Sequence, residues 1–371
     1  MLTEKLLPGV PLVESPFFER DAPKILPPDY LRVARDLNEK GFAIFDFPDP
    51  DLEAKMEGIK RDYHDRYDWR AWRGGKLNSL RIQDAWKSDP RVREIATNSA
   101  VLDMISAIYA REAFAFQTLN FAVGTQQEAH SDHAHFNSIP DRFMCGVWLA
   151  FEDVDSENGP LFYYPGSHRW PSYQNEHLGV SYRQINGHFP EYRRYVRLWN
   201  ELAAEQGIQR EIFRARKGQA LLWSSNILHG GSAQVDPSRT RWSQVTHYFF
   251  KGCAYTTPVA NDTFQGRVHY RDVTDVQTGQ LVPNVISGEP LDPQFHTAIQ
   301  AQFAAPAAAP SHLRDLMRTL AVSPFRENQE LPPGFDPLGY LALNADLLDA
   351  GTDPFEHFLA FGRNEGRSWS L

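Results

Sequence analysis

The chain begins with a proline-rich lead-in over residues 8–28, and its first regular pattern follows at once. In residues 28–41 the apolar positions Leu31, Val33, Ala34 and Leu37 recur at roughly helical spacing and Gly41 follows as a stop, which predicts an amphipathic helix. Residues 41–47 then predict a strand, closed by Pro48 and Pro50. Helical patterns return around 51–66 and 91–111. From residue 113 the character changes. Runs dense in aromatic and β-branched residues (115–124, 142–154, 159–166, 218–225 and 241–250) are separated by Gly and Pro, as in a sandwich or barrel. Residues 189–216 interrupt the strands with a helix-like insert carrying Arg193, Arg194, Arg197, Arg210, Arg214 and Arg216. Residues 303–311 (FAAPAAAPS) read as a linker, 312–320 as a short helix, and 334–367 as two or three short helices. The expected division is a main domain over 1–300, a linker and short helix over 301–330, and a small helical module over 331–371.

Composition narrows the picture. A chain of 371 residues, 42% of them hydrophobic, can bury an extensive core without a disulfide or metal staple. With 38 Lys+Arg against 47 Asp+Glu the net charge is −9, which argues against a nucleic-acid binder or a protein of anionic membranes. No run of 18 apolar residues predicts a membrane span, and the N-terminus lacks the apolar stretch of a secretory signal. Cys145 and Cys253 are too few for a disulfide framework or a thiolate zinc cluster. The expectation is a cytoplasmic protein of a reducing compartment.

The candidate chemistry starts at His130-Ser131-Asp132. A His-x-Asp alone says little, but this one sits between predicted strands. In extended backbone its two side chains share a face and can point at one ion. Far downstream, His229 ends one predicted strand and Arg241 begins the next. Two imidazoles and one carboxylate, with three positions left open, form a donor set suited to oxygen-activating non-haem Fe(II). Such iron holds a 2-oxo acid and O2 together. The far carboxylate of 2-oxoglutarate then needs an anchor, which an arginine fork provides. Gln117 and Asn120, on the strand before the ligand loop, are further candidates to hydrogen-bond that cosubstrate, with polar pairing inside the sheet as the alternative.

Taken together, FAVGTQQEAHSD, MCGVWLAFEDVDSENGPLFYYPGSHRWP and LHGGSAQVDPSRTRWSQVTHYFF resemble the phytanoyl-CoA dioxygenase family over roughly residues 25–255. The resemblance implies a double-stranded β-helix (jelly roll, cupin-like), mainly β with flanking helices. It implies iron bound by His130, Asp132 and His229, and 2-oxoglutarate held by Ser232 and Arg241, nine residues apart. It places Trp148 in the cosubstrate pocket, with an ordinary core tryptophan as the alternative. One departure stands out: the family's His-Gly-Ser is His229-Gly230-Gly231-Ser232 here, which leaves Arg239 as a competitor to Arg241. The presence of Asp132 favours hydroxylation over halide transfer.

Other histidines carry plainer expectations. His168 shapes a turn, His247 is a strand residue with its own hydrogen bond, and His133 and His135 face either substrate or solvent. The arginine-rich insert lies where such enzymes build a lid; a basic lid would suit an anionic substrate, and a solvated helix face is the plainer reading. The C-terminal unit resembles short helical modules appended to bacterial glycosyltransferases and surface proteins, which implies a carbohydrate or cell-envelope pathway, a substrate that is anionic or sugar-linked, and an interaction role rather than chemistry. The expected function is Fe(II)- and 2-oxoglutarate-dependent hydroxylation of an unactivated C–H in a small molecule, giving succinate and CO2. Desaturation, epimerisation or cyclisation, zinc hydrolysis, and a non-catalytic jelly-roll binding protein are the alternatives.

Overall fold

The computed structural model describes residues 7–75, 77, 79–180, 192–262 and 267–291. Towards the C-terminus it describes 335, 340, 343, 344, 346, 347 and 354–368. Two antiparallel sheets face each other. The larger is built from β1 (Phe42–Asp46), β2 (Arg81–Gln83), β3 (Ala113–Phe121), β5 (Met144–Ala150), β8 (Gln219–Ser224) and β10 (Ser243–Phe250), in the order β1-β8-β5-β10-β3-β2. The smaller contains β6 (Leu161–Tyr163), β7 (Glu211–Phe213) and β9 (His229–Gly231), in the order β7-β6-β9. Between β3 and β5 lies β4 (Asn137–Ile139), paired with β11 (Ala254–Thr256). This non-sequential, all-antiparallel arrangement of two facing sheets is that of a jelly roll.

Both faces of the large sheet are covered, which is why its strands read as nearly continuous apolar runs. Its outer face packs on helices α1 (Phe18–Ile25), α2 (Pro28–Lys40), α3 (Leu52–Tyr63), α4 (Trp69–Arg73), α5 (Pro90–Ala96) and α6 (Ser99–Tyr109) through Ala43, Cys145, Val147, Leu149 and Leu222. The polar residues of that face reach the helices too. Tyr248 donates to the carbonyl of Ala96 at 3.0 Å, and Gln244 donates to that of Val92 at 3.1 Å. The inner face carries Phe42, Phe121, Trp148, Leu221, Trp223 and Val245, which meet Tyr163 and Phe213 of the small sheet.

Most predicted elements appear, with three differences. The helix expected over 91–111 is two helices, because the Asn98 side chain accepts from the Val101 amide at 3.1 Å and starts a new one. The lead-in contains α1, which buries Phe18 and Ala22 one turn apart despite Pro23 inside it. Residues 189–216 hold α7 (Tyr192–Glu205) and strand β7, with 189–191 outside the described residues. α7 turns Tyr195, Trp199 and Ala203 inward against Phe162 and Leu228. Of the arginines named there, Arg194 is buried and the other five are exposed. Gly41 ends α2 at φ 87°, and a Cβ there would meet the His168 ring at 2.7 Å, so this position needs glycine twice over.

Cys145 and Cys253 are buried free thiols. No helix among the described residues is long and apolar enough to cross a membrane. The expected linker and short helix over 301–330 lie outside the described residues. Beyond them Tyr340, Leu347 and Phe358 bury one another beside Phe335, with a helical turn at Pro354–His357.

Candidate active site

His130 and His229 are direct cross-strand partners. Each donates its backbone N–H to the other's carbonyl, at 2.8 and 2.9 Å, and such a pair projects its side chains from one face. The two rings lie 4.4 Å apart between centroids. Ser131 is extended (φ −115°, ψ 129°), so Asp132, two residues on, returns to the same side at the head of a 3₁₀ turn. One ligand atom from each of the three residues lies within 4.8 Å of the others. Nδ1 of His130 donates to the Glu128 carbonyl at 3.0 Å, and Nδ1 of His229 to that of Ile227 at 3.1 Å. A carbonyl can only accept, so both rings are set in the tautomer that offers the Nε2 lone pair, and both Nε2 atoms face Asp132, at 3.7 and 3.9 Å.

Electrostatics agree with a cation site. Burial, then the neighbouring His229, pushes the His130 imidazole down to about 3, so it is a neutral donor at physiological pH. Burial by itself would raise Asp132, but His229, His247 and His130 hold it well below the usual carboxylate range. The donor set is therefore two imidazoles and a carboxylate, which fits Fe(II).

A buried histidine away from the triad sets a pH dependence. His168 donates from Nε2 to the Asn38 carbonyl at 2.9 Å, and burial lowers its imidazole to about 4. The unfolded chain takes up this proton near pH 6.5, so the contribution is complete above that pH and is lost as pH falls towards 4. At pH 5 the loss from this residue is about 2 kcal/mol. The urea midpoint of metal-free protein is expected to fall between pH 7 and 5, with a shallower fall in His168→Gln.

A cavity of about 280 Å3 lies between the sheets, and the triad opens into it. Arg241 lines the same cavity. It is fully buried with its guanidinium over the Trp148 ring, 5.3 Å from the centroid. Nε, Nη1 and Nη2 find no hydrogen-bond acceptor among the described residues. Burial lowers its pKa only to about 10, so it stays a cation. Trp148 pairs with Leu221, while Gly146, two residues earlier, pairs with Trp223 in the row that reaches Asp132. The cation and the triad therefore open into one cavity, which can take a small dicarboxylate between them.

The remaining predicted residues divide cleanly. Gln117 lines the cavity and accepts from His247 Nδ1 at 3.0 Å. Asn120 does not: three residues on, it has the opposite parity, points to the outer face and donates to Gln244 Oε1 at 3.1 Å. Arg239 is also elsewhere, with Nη1 on both Asp155 oxygens at 2.9 and 2.8 Å. Ser232 lies one residue past β9 and is not among the cavity's lining residues; its hydroxyl is buried without a partner among the described residues. The extra Gly231 takes the inward position that alternation from His229 sets. A Cβ on Gly231 would come within 2.5 Å of Thr125 Oγ1, so a threonine hydroxyl from another loop fills that space and lines the cavity.

His135 lines the cavity beneath the Tyr192 ring, 4.7 Å away, whereas His133 is buried outside it, near Asn137 and Asp141. Neither is a solvated loop residue. Sequence reasoning passed over Thr125 and Trp223. Thr125 has no pattern of its own, and an indole in an apolar strand reads as core.

Facing sheets, a two-histidine, one-carboxylate site and a buried arginine in one cavity are the features of jelly-roll oxygenases that use iron and 2-oxoglutarate. A family model described as Phytanoyl-CoA dioxygenase (PhyH) matches residues 52–241, just over half of the chain, and the chain belongs to that family. A curated relative, phytanoyl-CoA dioxygenase domain-containing protein 1 of Danio rerio, is 27% identical over 157 residues, covering 40% of this chain and 47% of the relative. The match thus spans about half of that relative's length.

Among solved structures, the chain is similar to the non-heme alpha ketoglutarate dependent carbocyclase SnoK from nogalamycin biosynthesis (14% identity, 62% of this chain, 87% of that one, TM-score 0.48). It is similar to the epimerase SnoN in complex with Fe3+, alpha ketoglutarate and nogalamycin RO (17%, 72%, 97%, TM-score 0.47). A third is EctD from S. alaskensis with 2-oxoglutarate and 5-hydroxyectoine (17%, 61%, 78%, TM-score 0.43).

Proposed function

We propose that the chain is a non-haem Fe(II)- and 2-oxoglutarate-dependent dioxygenase that hydroxylates an unactivated C–H of a small-molecule substrate. The observation that carries this reading is Arg241, a fully buried cation without an acceptor, in the same cavity as His130, Asp132 and His229. A buried charge without a hydrogen-bonded acceptor is costly, and a dicarboxylate cosubstrate offsets that cost.

His130, Asp132 and His229 would hold iron through Nε2, a carboxylate oxygen and Nε2. Bound with 2-oxoglutarate and O2, iron supplies the oxidant for C–H cleavage, with succinate and CO2 as co-products. Arg241 takes the far carboxylate of the cosubstrate as a two-pronged donor, and Trp148 holds the guanidinium plane from below. Thr125, which lines the same cavity, offers a hydroxyl to the cosubstrate in place of Ser232. Gln117 holds the His247 ring in the cavity wall, and the aromatic rings of Phe42, Phe136, Phe162 and Tyr163 keep water from the reacting centre. On α7 the exposed Arg193 and Arg197 face away from Tyr195 and Trp199, which supports a solvated helix face, while Arg210, past the helix, lies over the Phe162 ring.

The test is succinate release from 2-oxoglutarate by purified protein under air with ascorbate. The rate is expected to depend on Fe(II) and to vanish with Zn(II) in its place. Succinate that appears equally with Zn(II), or 2-oxoglutarate that fails to bind iron-loaded protein, would sink the reading. The separate apolar cluster of Tyr340, Leu347 and Phe358 supports treating residues 331–371 as an appended unit, and removing them is expected to leave this rate unchanged.

A further inference from the structure

Trp223 of β8 lies across the inner face of the large sheet, and its indole N–H donates to Asp132 Oδ2 at 2.9 Å, fully buried. Room for the ring comes from β5. Gly146 is the cross-strand partner of Trp223, and a Cβ there would overlap Cζ2 and Cε2 of the indole. The ring also lies 5.4 Å from the His229 ring and 5.9 Å from that of His247, edge-on to the latter.

The two oxygens of Asp132 are therefore not equivalent. Oδ2 accepts from Trp223, with His247 Nε2 at 3.6 Å, while Oδ1 faces His130 Nε2 at 3.7 Å. A carboxylate on a short loop turns freely about its last bond unless a donor fixes it. An indole N–H can only donate, so it holds the acceptor without competing for the cation.

We propose that Trp223 is a positioning residue for the metal: its N–H fixes the Asp132 carboxylate, and Gly146 is the cross-strand gap that admits its ring. The proposal rests on reading His130, Asp132 and His229 as the metal ligands. Outer-sphere donors of this kind change metal affinity by about 10- to 100-fold.

The experiment is anaerobic Co(II) titration of metal-free protein, following the visible ligand-field bands. Trp223→Phe keeps an aromatic ring and removes the donor. It is expected to raise the Co(II) Kd about 10-fold or more and to shift the bands, with the circular dichroism of the wild type retained. Gly146→Ala is expected to weaken Co(II) similarly in the wild-type background and much less in the Trp223→Phe background, because the smaller ring no longer fills the gap. A Trp223→Phe protein that binds Co(II) with wild-type affinity and bands would overturn the proposal. A wild-type protein that binds no Co(II) would overturn the ligand assignment beneath it, so the two failures are told apart.

Discussion

Replacing Arg241 by Met is expected to weaken 2-oxoglutarate binding to the metal-loaded protein by at least two orders of magnitude while leaving the metal-free protein as stable as before, or more so. The two halves come from one observation. The guanidinium is fully buried over Trp148 with none of its donors satisfied among the described residues. Without the cosubstrate it is a buried charge with no hydrogen-bonded acceptor among the described residues, offset only by the field of Glu152, and a methionine of similar length removes that cost. With the cosubstrate, truncating one partner of a buried charge pair costs about 3–5 kcal/mol, or at least two factors of ten in Kd. Calorimetric titration and a thermal melt of the same sample read both. Arg241→Lys keeps the charge and loses the fork, and is expected to fall between. A melting temperature that drops with unchanged affinity would make Arg241 a structural residue.

His130→Ala is expected to reduce metal affinity about 1000-fold and to bring succinate formation below detection. Three donors define the site, and the remaining pair lacks the imidazole that faces Asp132 Oδ1. The fold should survive, because the bond pair joining residues 130 and 229 is main chain to main chain. His133→Ala provides the comparison within the same short segment. His133 is equally buried but lies outside the cavity, so its loss should cost stability and leave metal affinity within a few-fold of wild type. Metal titration of the two variants side by side decides the matter; equal losses would mean that the segment, not the ligand, was damaged.

These expectations show where the chain could be read directly. Strands and helices were largely legible because runs of aromatic and β-branched residues bounded by Gly and Pro, and the 3.6 period of helices, are local properties, and His130-x-Asp132 was legible because both ligands come from three consecutive residues. Boundaries made by a single side chain were less so. The split at Asn98 depends on one capping bond, and α1 tolerates a proline that the pattern treats as a break.

What the sequence by itself determined is the succession of strands and helices, the His-x-Asp pair, the distal His229 and the choice of arginine down to two. The elements and the His-x-Asp pair rest on local pattern along the chain, and the roles of His229 and the two arginines rest also on the resemblance to the family. Only the tertiary structure decided that Arg239 goes to Asp155 and Arg241 into the cavity, and that Gln117 faces the site while Asn120 turns to the helices. It also decided that Thr125 fills the space beside Gly231, and that Trp223 reaches Asp132 from 91 positions away across Gly146. Each of these depends on which strands pair and in which register. A shift of one residue sends a side chain to the other face, and pairing is settled by burial summed over both sheets rather than by any short run of residues.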